Sequence, residues 1–178
     1  MKVAVIMSTY NGEKYLRQQI DSILNQVGVE KELFIRDDGS KDKTVEIIKE
    51  YEKRYSNVHV DLGKNIGFRQ SFIQELLKTE GFDYYAFSDQ DDFWEPEKLF
   101  QGCISIKKSK EKIPMVYYSN LNVSDENLNV YRTTKLHTRK KSLASLVMRR
   151  SIAGCTMIFN KQMWEKIASV NITDDMLK

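Results

Sequence analysis

Four times within residues 1–112 the chain repeats one pattern: a short apolar run, a polar loop, and a stretch with helical spacing. Lys2 to Ser8 (KVAVIMS) is apolar without alternation, as in a strand buried on both faces of a parallel sheet. Thr9-Tyr10-Asn11-Gly12 breaks it, and Glu13 to Gln26 carries Tyr15, Leu16, Ile20, Ile23 and Leu24 at helical spacing. Glu32 to Arg36 runs into the turn Asp37-Asp38-Gly39-Ser40, and Ser40 or Asp42 can cap a helix over Lys43 to Tyr55. Val58 to Leu62, the turn Gly63 to Gly67 and Phe68 to Lys78 form the third unit. Tyr84 to Phe87, an acidic loop, and a helix from Pro96 to about Lys110 form the fourth. Right-handed crossovers turn such a series into a parallel sheet with helices on both faces. The four loops then gather along the carboxyl edge of the sheet, where open α/β sheets take their ligands.

The regularity stops after Lys112. Met115 to Ser119 reads as a strand, Asn120 to Val130 as a hairpin with a polar tip, and Thr133 to Lys141 as a basic loop. Ser142 to Met148 reads as a short helix, Gly154 to Phe159 as a strand, and Asn160 as the cap of a helix over Lys161 to Ala168. No linker composition interrupts the chain, so residues 1–178 are expected to form one α/β domain, regular over 1–112 and more variable over 113–178.

The loop after the fourth strand holds the densest charge. Asp89-Gln90-Asp91-Asp92 places three carboxylates within four residues. They repel one another, and a divalent cation is the simplest way to hold them together. Asp89 and Asp91 are two apart, so in an extended stretch their side chains leave on the same side. Hard oxygen ligands suit Mg²⁺ or Mn²⁺. The plainer reading is a solvated loop ahead of a helix. Other chemistries find less support. Two histidines, two cysteines (Cys103 and Cys155) and no CxxC pair make no zinc site of the usual kind. A net charge of +3 gives no argument for nucleic acid. No apolar run approaches the roughly 18 residues of a membrane span, and Val3 to Met7 is too short for a secretory signal. No GxGxxG follows the first strand, so a dinucleotide oxidoreductase is disfavoured. Ser8 to Gly12 lacks the Gly-rich, basic phosphate loop a nucleotidyltransferase would need.

In order and spacing, Ser8-Thr9-Tyr10-Asn11, Asp37-Asp38-Gly39-Ser40, Asn65-x-Gly67 and Asp89-x-Asp91 resemble glycosyltransferase family 2 over roughly residues 2 to 165. The wording from Phe87 to Leu99 is most similar to bacterial members of the rhamnosyltransferase type. The resemblance implies a GT-A fold, with residues 1–112 as the nucleotide-sugar half and 113–178 as the acceptor side. It implies metal-dependent, inverting transfer from a UDP- or dTDP-linked sugar to an acceptor hydroxyl in cell-surface polysaccharide synthesis. By position, Thr9, Tyr10, Asn11 and Glu13 match the loop that holds base and ribose. Asp37 matches the acid that reads the base edge, with Asp38 beside it, and Asn65 and Gly67 match a loop near nucleotide and sugar. Asp89 and Asp91 match the metal pair, Asp91 as the direct ligand of Mn²⁺ or Mg²⁺ and Asp89 nearer the sugar. Gly154, Cys155 and Thr156 match the acceptor side.

The implied partners are a nucleoside-diphosphate-sugar and a saccharide or lipid-linked saccharide, with no nucleic acid. The implied location is the cytoplasm, at the inner face of the plasma membrane when the acceptor is lipid-linked; a homodimer is left open. The cluster Arg139, Lys140, Lys141, Arg149 and Arg150 is a candidate for anionic lipid, against a plain solvated surface. Lys107, Lys108, Lys110 and Lys112 read as a solvated helix end, Trp94 as core packing, and Cys155 as a buried small residue. The family's general base lies in a segment expected beyond Lys178, and Asp174 and Asp175 are the acids nearest that position. On that reading the chain is a fragment that binds donor and metal. A non-catalytic nucleotide-sugar-binding module is the alternative of another class.

Overall fold

The computed structural model describes residues 1–109, 112–134 and 153–170. The four repeated units appear as β1 (Lys2–Thr9), α1 (Leu16–Leu24), β2 (Glu30–Asp37), α2 (Thr44–Arg54), β3 (Val58–Leu62), α3 (Phe68–Lys78), β4 (Tyr84–Ser88) and α4 (Lys98–Lys107). The second half adds β5 (Val116–Tyr118), β6 (Asn122–Ser124), β7 (Val130–Thr133), β8 (Met157–Asn160) and α5 (Lys161–Ala168). The main sheet runs β3-β2-β1-β4-β8-β5. Its first four strands are parallel, and β8 joins β4 and β5 antiparallel. β6 and β7 pair apart from it, around a turn in which Asp125 accepts the N–H groups of Asn127 and Asn129.

The unalternating run in β1 is explained by burial from both sides. Val3, Val5 and Met7 face Leu16, Ile20, Ile23, Ile48 and Leu99 of α1, α2 and α4. Ala4 and Ile6 face the opposite layer, with Leu76 of α3, Tyr85 of β4 and Phe159 of β8. Phe159 and Trp164 both stack on Tyr85, at centroid distances of 5.6 and 5.7 Å. Gly102 lets α4 lie close on β8: a Cβ there would sit 2.3 Å from Ile158 Cδ1.

Three departures from the sequence expectation have a local reason. The first helix starts at Leu16, because Glu13 and its neighbours spend their polar groups on the loop after β2. Pro96 precedes α4 and does not open its first turn. Its carbonyl takes the Val27 N–H at 3.0 Å, while Gln26 holds the Glu95 carbonyl and the Leu99 N–H, so this segment is pinned to the end of α1. Gly154–Thr156 is a single 3-10 turn and not the start of a strand; Thr156 folds back to bond the Ala153 carbonyl through both Oγ1 and N–H. Asn160 caps α5 as the sequence predicts, accepting the Met163 N–H, and also joins Met115 and Ile113 of the neighbouring segment. Lys110, the expected loop beyond Thr134, the expected helix over 142–148, the basic cluster, Asp174 and Asp175 lie outside the described residues.

Candidate active site

In-register pairing ends the parallel strands together: Thr9 lies opposite Asp37, Asp37 opposite Leu62, and Met7 opposite Ser88. Four loops therefore meet at one edge. They enclose an open cleft of about 370 Å³. Tyr10, Asp38, Asn65, Gly67, Asp89 and Asp91 line it, and Phe68 and Phe72 supply an apolar wall. A larger groove between α1 and Phe93 to Pro96 shares no lining residue with this cleft.

The adjacent acids after β2 do different work. Asp37 is 2% exposed. Its Oδ1 accepts from Thr9 Oγ1 at 3.0 Å and Ser40 Oγ at 2.5 Å, and its Oδ2 from the N–H groups of Gly39 and Ser40. Four donors fill a carboxylate. Thr9 and Asp37, both expected against the nucleotide, thus build the turn beneath the cleft and not its wall. Asp38 lines the cleft and pairs with the buried Arg36 guanidinium at 2.7 Å. Asp38 Oδ1 also accepts the Ile66 N–H, and Oδ2 the Gly67 N–H, each at 2.9 Å. Arg36 reaches on to Ser71 Oγ and the Lys64 carbonyl. Gly63 makes room for it, since a Cβ there would lie 2.2 Å from Nη2. Gly67 itself sits at φ 88°, a conformation that favours glycine. One buried ion pair thus fixes the third loop, Asn65 included, against the second. Arg36 did not stand out in the sequence, although a cation closing an apolar strand directly before two aspartates was the available signal.

The first loop is stitched to its neighbours from both sides. Asn11, at φ 49°, donates its N–H to Ser40 Oγ and accepts the Lys41 N–H on Oδ1. Glu13 accepts the Lys43 N–H at 2.9 Å. Both residues, expected to touch the nucleotide, therefore face the loop after β2. From the other side Gln90 clamps the Tyr10 backbone, accepting its N–H at 2.8 Å and donating to its carbonyl at 3.1 Å. Gly12 permits this, for a Cβ there would lie 2.4 Å from Gln90 Oε1. The clamp leaves Tyr10 45% exposed at the cleft, with a ring that can stack.

The same clamp reshapes the acidic loop. The chain bends at Gln90 and Asp91, so the same-side relation of an extended stretch does not apply. Asp89 converges with Asp92 and with the thiol of Cys155, one ligand atom of each lying within 4.8 Å of the others, while Asp91 stands exposed at the rim of the cleft. Burial and then the Asp92 charge push the Asp89 carboxyl above its usual range. Burial, with Asp92 next, also pushes the Cys155 thiol up, so that it stays neutral. The converging carboxylates fit a hard divalent cation, to which a neutral thiol adds little. Cys155 belongs to the Gly154–Thr156 turn, so the segment expected on the acceptor side meets the acidic loop directly, with Gly154 exposed and Thr156 buried. Beneath them Lys98 donates to the Cys155 carbonyl at 2.6 Å and lies 3.6 Å from the ring centroid of the buried Trp94. Burial brings the Lys98 pKa down to about 8, against the pull of Cys155, Asp92 and Asp89.

Comparison with known proteins agrees with this architecture. The dTDP-rhamnosyl transferase RfbG of Shigella flexneri is 32% identical over 130 residues, covering 70% of this chain and 42% of that protein. Chondroitin synthase of Escherichia coli is 31% identical over 124 residues, covering 70% of this chain and 18% of that one. The chain spans roughly half the length of the first curated relatives it matches. Among solved structures, S. aureus TarS 1-349 in complex with UDP-GlcNAc superposes with a TM-score of 0.71 at 24% identity, over 93% of this chain and 47% of that chain. The mannosyltransferase PcManGT of Pyrobaculum calidifontis, solved with GDP-Man and Mn²⁺, has a TM-score of 0.61 at 16% identity, over 93% of this chain and 46% of that chain. These likenesses establish the GT-A fold. The glycosyl transferase family 2 description matches residues 4–165, and with that span the chain belongs to glycosyl transferase family 2.

Proposed function

We propose that this chain is the donor-binding domain of a metal-dependent, inverting glycosyltransferase that moves a sugar from a UDP- or dTDP-linked donor to an acceptor hydroxyl in cell-surface polysaccharide synthesis. The observation that carries this reading is the cleft itself, which Asp38, Asp89 and Asp91 line together with the exposed Tyr10 at the carboxyl edge of the sheet. The names of the relatives support it: RfbG is a dTDP-rhamnosyl transferase, and TarS was solved with UDP-GlcNAc.

Tyr10 offers the face on which a pyrimidine stacks. Asp38 takes over the base-edge role first given to Asp37. Its Oδ2 accepts a single N–H, from Gly67, and keeps a lone pair for the imide N–H of uracil or thymine. Asn65 and Gly67, fixed through Asp38, bring backbone and amide groups to the ribose and sugar. Asp89 and Asp91, which both line the cleft, would hold Mn²⁺ or Mg²⁺, with Asp92 converging on Asp89 beside them. A cation held there would supply positive charge against the departing diphosphate. The Gly154–Thr156 turn borders the acceptor side. A carboxylate on the face of the donor sugar opposite the diphosphate takes the proton of the attacking hydroxyl. Attack opposite the leaving group inverts the anomeric carbon. Among the described residues no helix is long and apolar enough to cross a membrane. We place the domain in the cytoplasm, where nucleotide sugars are made, with lipid-linked acceptors presented at the inner membrane face.

A thermal-shift screen tests this reading. With Mn²⁺ present, UDP or dTDP at about a hundredfold over Kd stabilises by about 2.7 kcal/mol and raises Tm by roughly 5–10 °C. ADP, with a base of different shape and edge, gives a smaller shift. A folded protein that responds to no nucleoside diphosphate contradicts the proposal.

A further inference from the structure

The larger groove, between α1 and the segment Phe93 to Pro96, has no part in the reading above. It holds about 510 Å³, an ordinary size for a small-molecule site. One wall is a helix face, with Gln18, Asp21, Ser22 and Asn25 at i, i+3, i+4 and i+7. Phe93 and Trp94 stand across from it. Their segment is tied to α1 along its length: the Trp94 N–H donates to Ser22 Oγ at 3.1 Å, Gln26 holds the Glu95 carbonyl at 2.8 Å, and the Val27 N–H donates to the Pro96 carbonyl. Phe93 is nonetheless 45% exposed, so tied-down backbone presents an aromatic side chain at a polar helix face.

The polar side chains of that face are only partly engaged. Tyr51 donates its hydroxyl to Asp21 Oδ1 at 2.7 Å, which orients the carboxylate and leaves Oδ2 without a partner among the described residues. The amides of Gln18 and Asn25 make no hydrogen bond among the described residues. Trp94 is 2% exposed, and its indole N–H is buried with no partner among the described residues. An unpaired buried donor calls for an acceptor. An aromatic side chain beside unspent amides and a carboxylate complements a sugar ring, whose C–H face stacks while its neighbouring hydroxyls both donate and accept. Among the described residues no cation lines the groove, and Asp21 is negative, which disfavours uronic acids and phosphorylated sugars. Phe93 follows Asp92 directly, so the groove begins where the acidic loop ends.

We propose that this groove is a saccharide subsite for a neutral pyranose unit of the acceptor glycan, stacked on Phe93 and hydrogen-bonded by Gln18, Asp21 and Asn25. Saccharide binding rests on the groove alone; its assignment to the acceptor rests on the donor-site reading above.

The test is saturation-transfer difference NMR on the 178-residue chain, with neutral trisaccharides of glucose, N-acetylglucosamine and rhamnose, and trigalacturonic acid as the anionic control. At least one neutral trisaccharide is expected to take up saturation, the anionic one much less, and UDP with Mn²⁺ is expected not to displace it, because the groove shares no lining residue with the donor cleft. Phe93→Ala should weaken binding at least about threefold, the scale of a lost stacking contact, while Phe93→Tyr keeps it within about twofold. Asn25→Ala should cost about threefold by itself, and Phe93→Ala with Asn25→Ala at least about tenfold. Both side chains are exposed, and an unchanged Tm confirms that each variant is folded. No transfer to any neutral trisaccharide overturns the proposal. So does binding that Phe93→Ala and Asn25→Ala leave intact, an equal signal from the anionic control, or displacement by UDP. Saccharide binding in a protein that ignores UDP and dTDP would keep the groove and remove the donor reading. Donor binding without saccharide binding would do the reverse.

Discussion

Asp38→Ala is expected to lower the unfolding free energy by roughly 3–5 kcal/mol, the usual cost of leaving one member of a buried ion pair without its partner. Arg36 is 3% exposed, so water cannot screen the stranded guanidinium. Ser71 Oγ and the Lys64 carbonyl still accept from it, but neither carries the charge that balances it. The same substitution frees the N–H groups of Ile66 and Gly67, which Asp38 holds beside the cleft. Stability and donor affinity should therefore fall together. Urea denaturation at neutral pH measures the first effect. Arg36→Met combined with Asp38→Ala should cost less than the two single changes added, by a coupling of roughly 0.5–3 kcal/mol. A loss below 1 kcal/mol in the single variant would show that the pair does not organise these loops.

Tyr85→Ala is expected to cost a similar roughly 3–5 kcal/mol, through lost burial and the cavity left behind. Tyr85 is fully buried in β4, and its ring stacks on Phe159 of β8 and Trp164 of α5. Those two contacts join the parallel part of the sheet to its antiparallel edge, and β4 is the strand that delivers Asp89. Tyr85→Phe keeps the stack and loses only a hydroxyl that accepts the Phe82 N–H at 3.4 Å, so it should cost about 1 kcal/mol or less. Denaturant unfolding of both variants separates the two contributions. Equal losses would place the energy in the hydroxyl and not in the aromatic stack.

These two positions mark what could be read in the sequence and what could not. The unbroken apolar run Val3 to Met7 announced a doubly buried strand, and the polar loop after each strand located the functional edge. Asp125 and Asn160 showed the hairpin tip and the helix cap, because both act on backbone a few residues away. The division of labour between Asp37 and Asp38 was hidden. They are adjacent and identical, and their difference comes from Thr9, 28 residues away from Asp37, and from the loop holding Ile66 and Gly67. The course of the acidic loop was hidden for the same reason. Gln90 is tied to Tyr10 across 80 residues, and that bond bends the chain so that Asp89 meets Asp92 in place of Asp91. Lys98 drew no reading from the sequence, and its partner, the Cys155 carbonyl, lies 57 residues on. Local patterns disclosed the elements and the edge. The partners that decide which polar atom faces the cleft are distant in sequence, and no local period encodes them.

The central claim is that the acidic loop and the Asp38 loop together hold a nucleoside diphosphate through a divalent cation. Calorimetric titration of UDP and dTDP tests it most directly, in Mn²⁺, in Mg²⁺ and in EDTA, with the wild type, Asp89→Ala and Asp91→Ala. The expected result is binding that needs the metal, prefers one of the two pyrimidine nucleotides, and weakens at least about tenfold, or 1.4 kcal/mol, in each variant. Equal binding in EDTA and in Mn²⁺, or no binding of either nucleotide by the folded wild type, would contradict it.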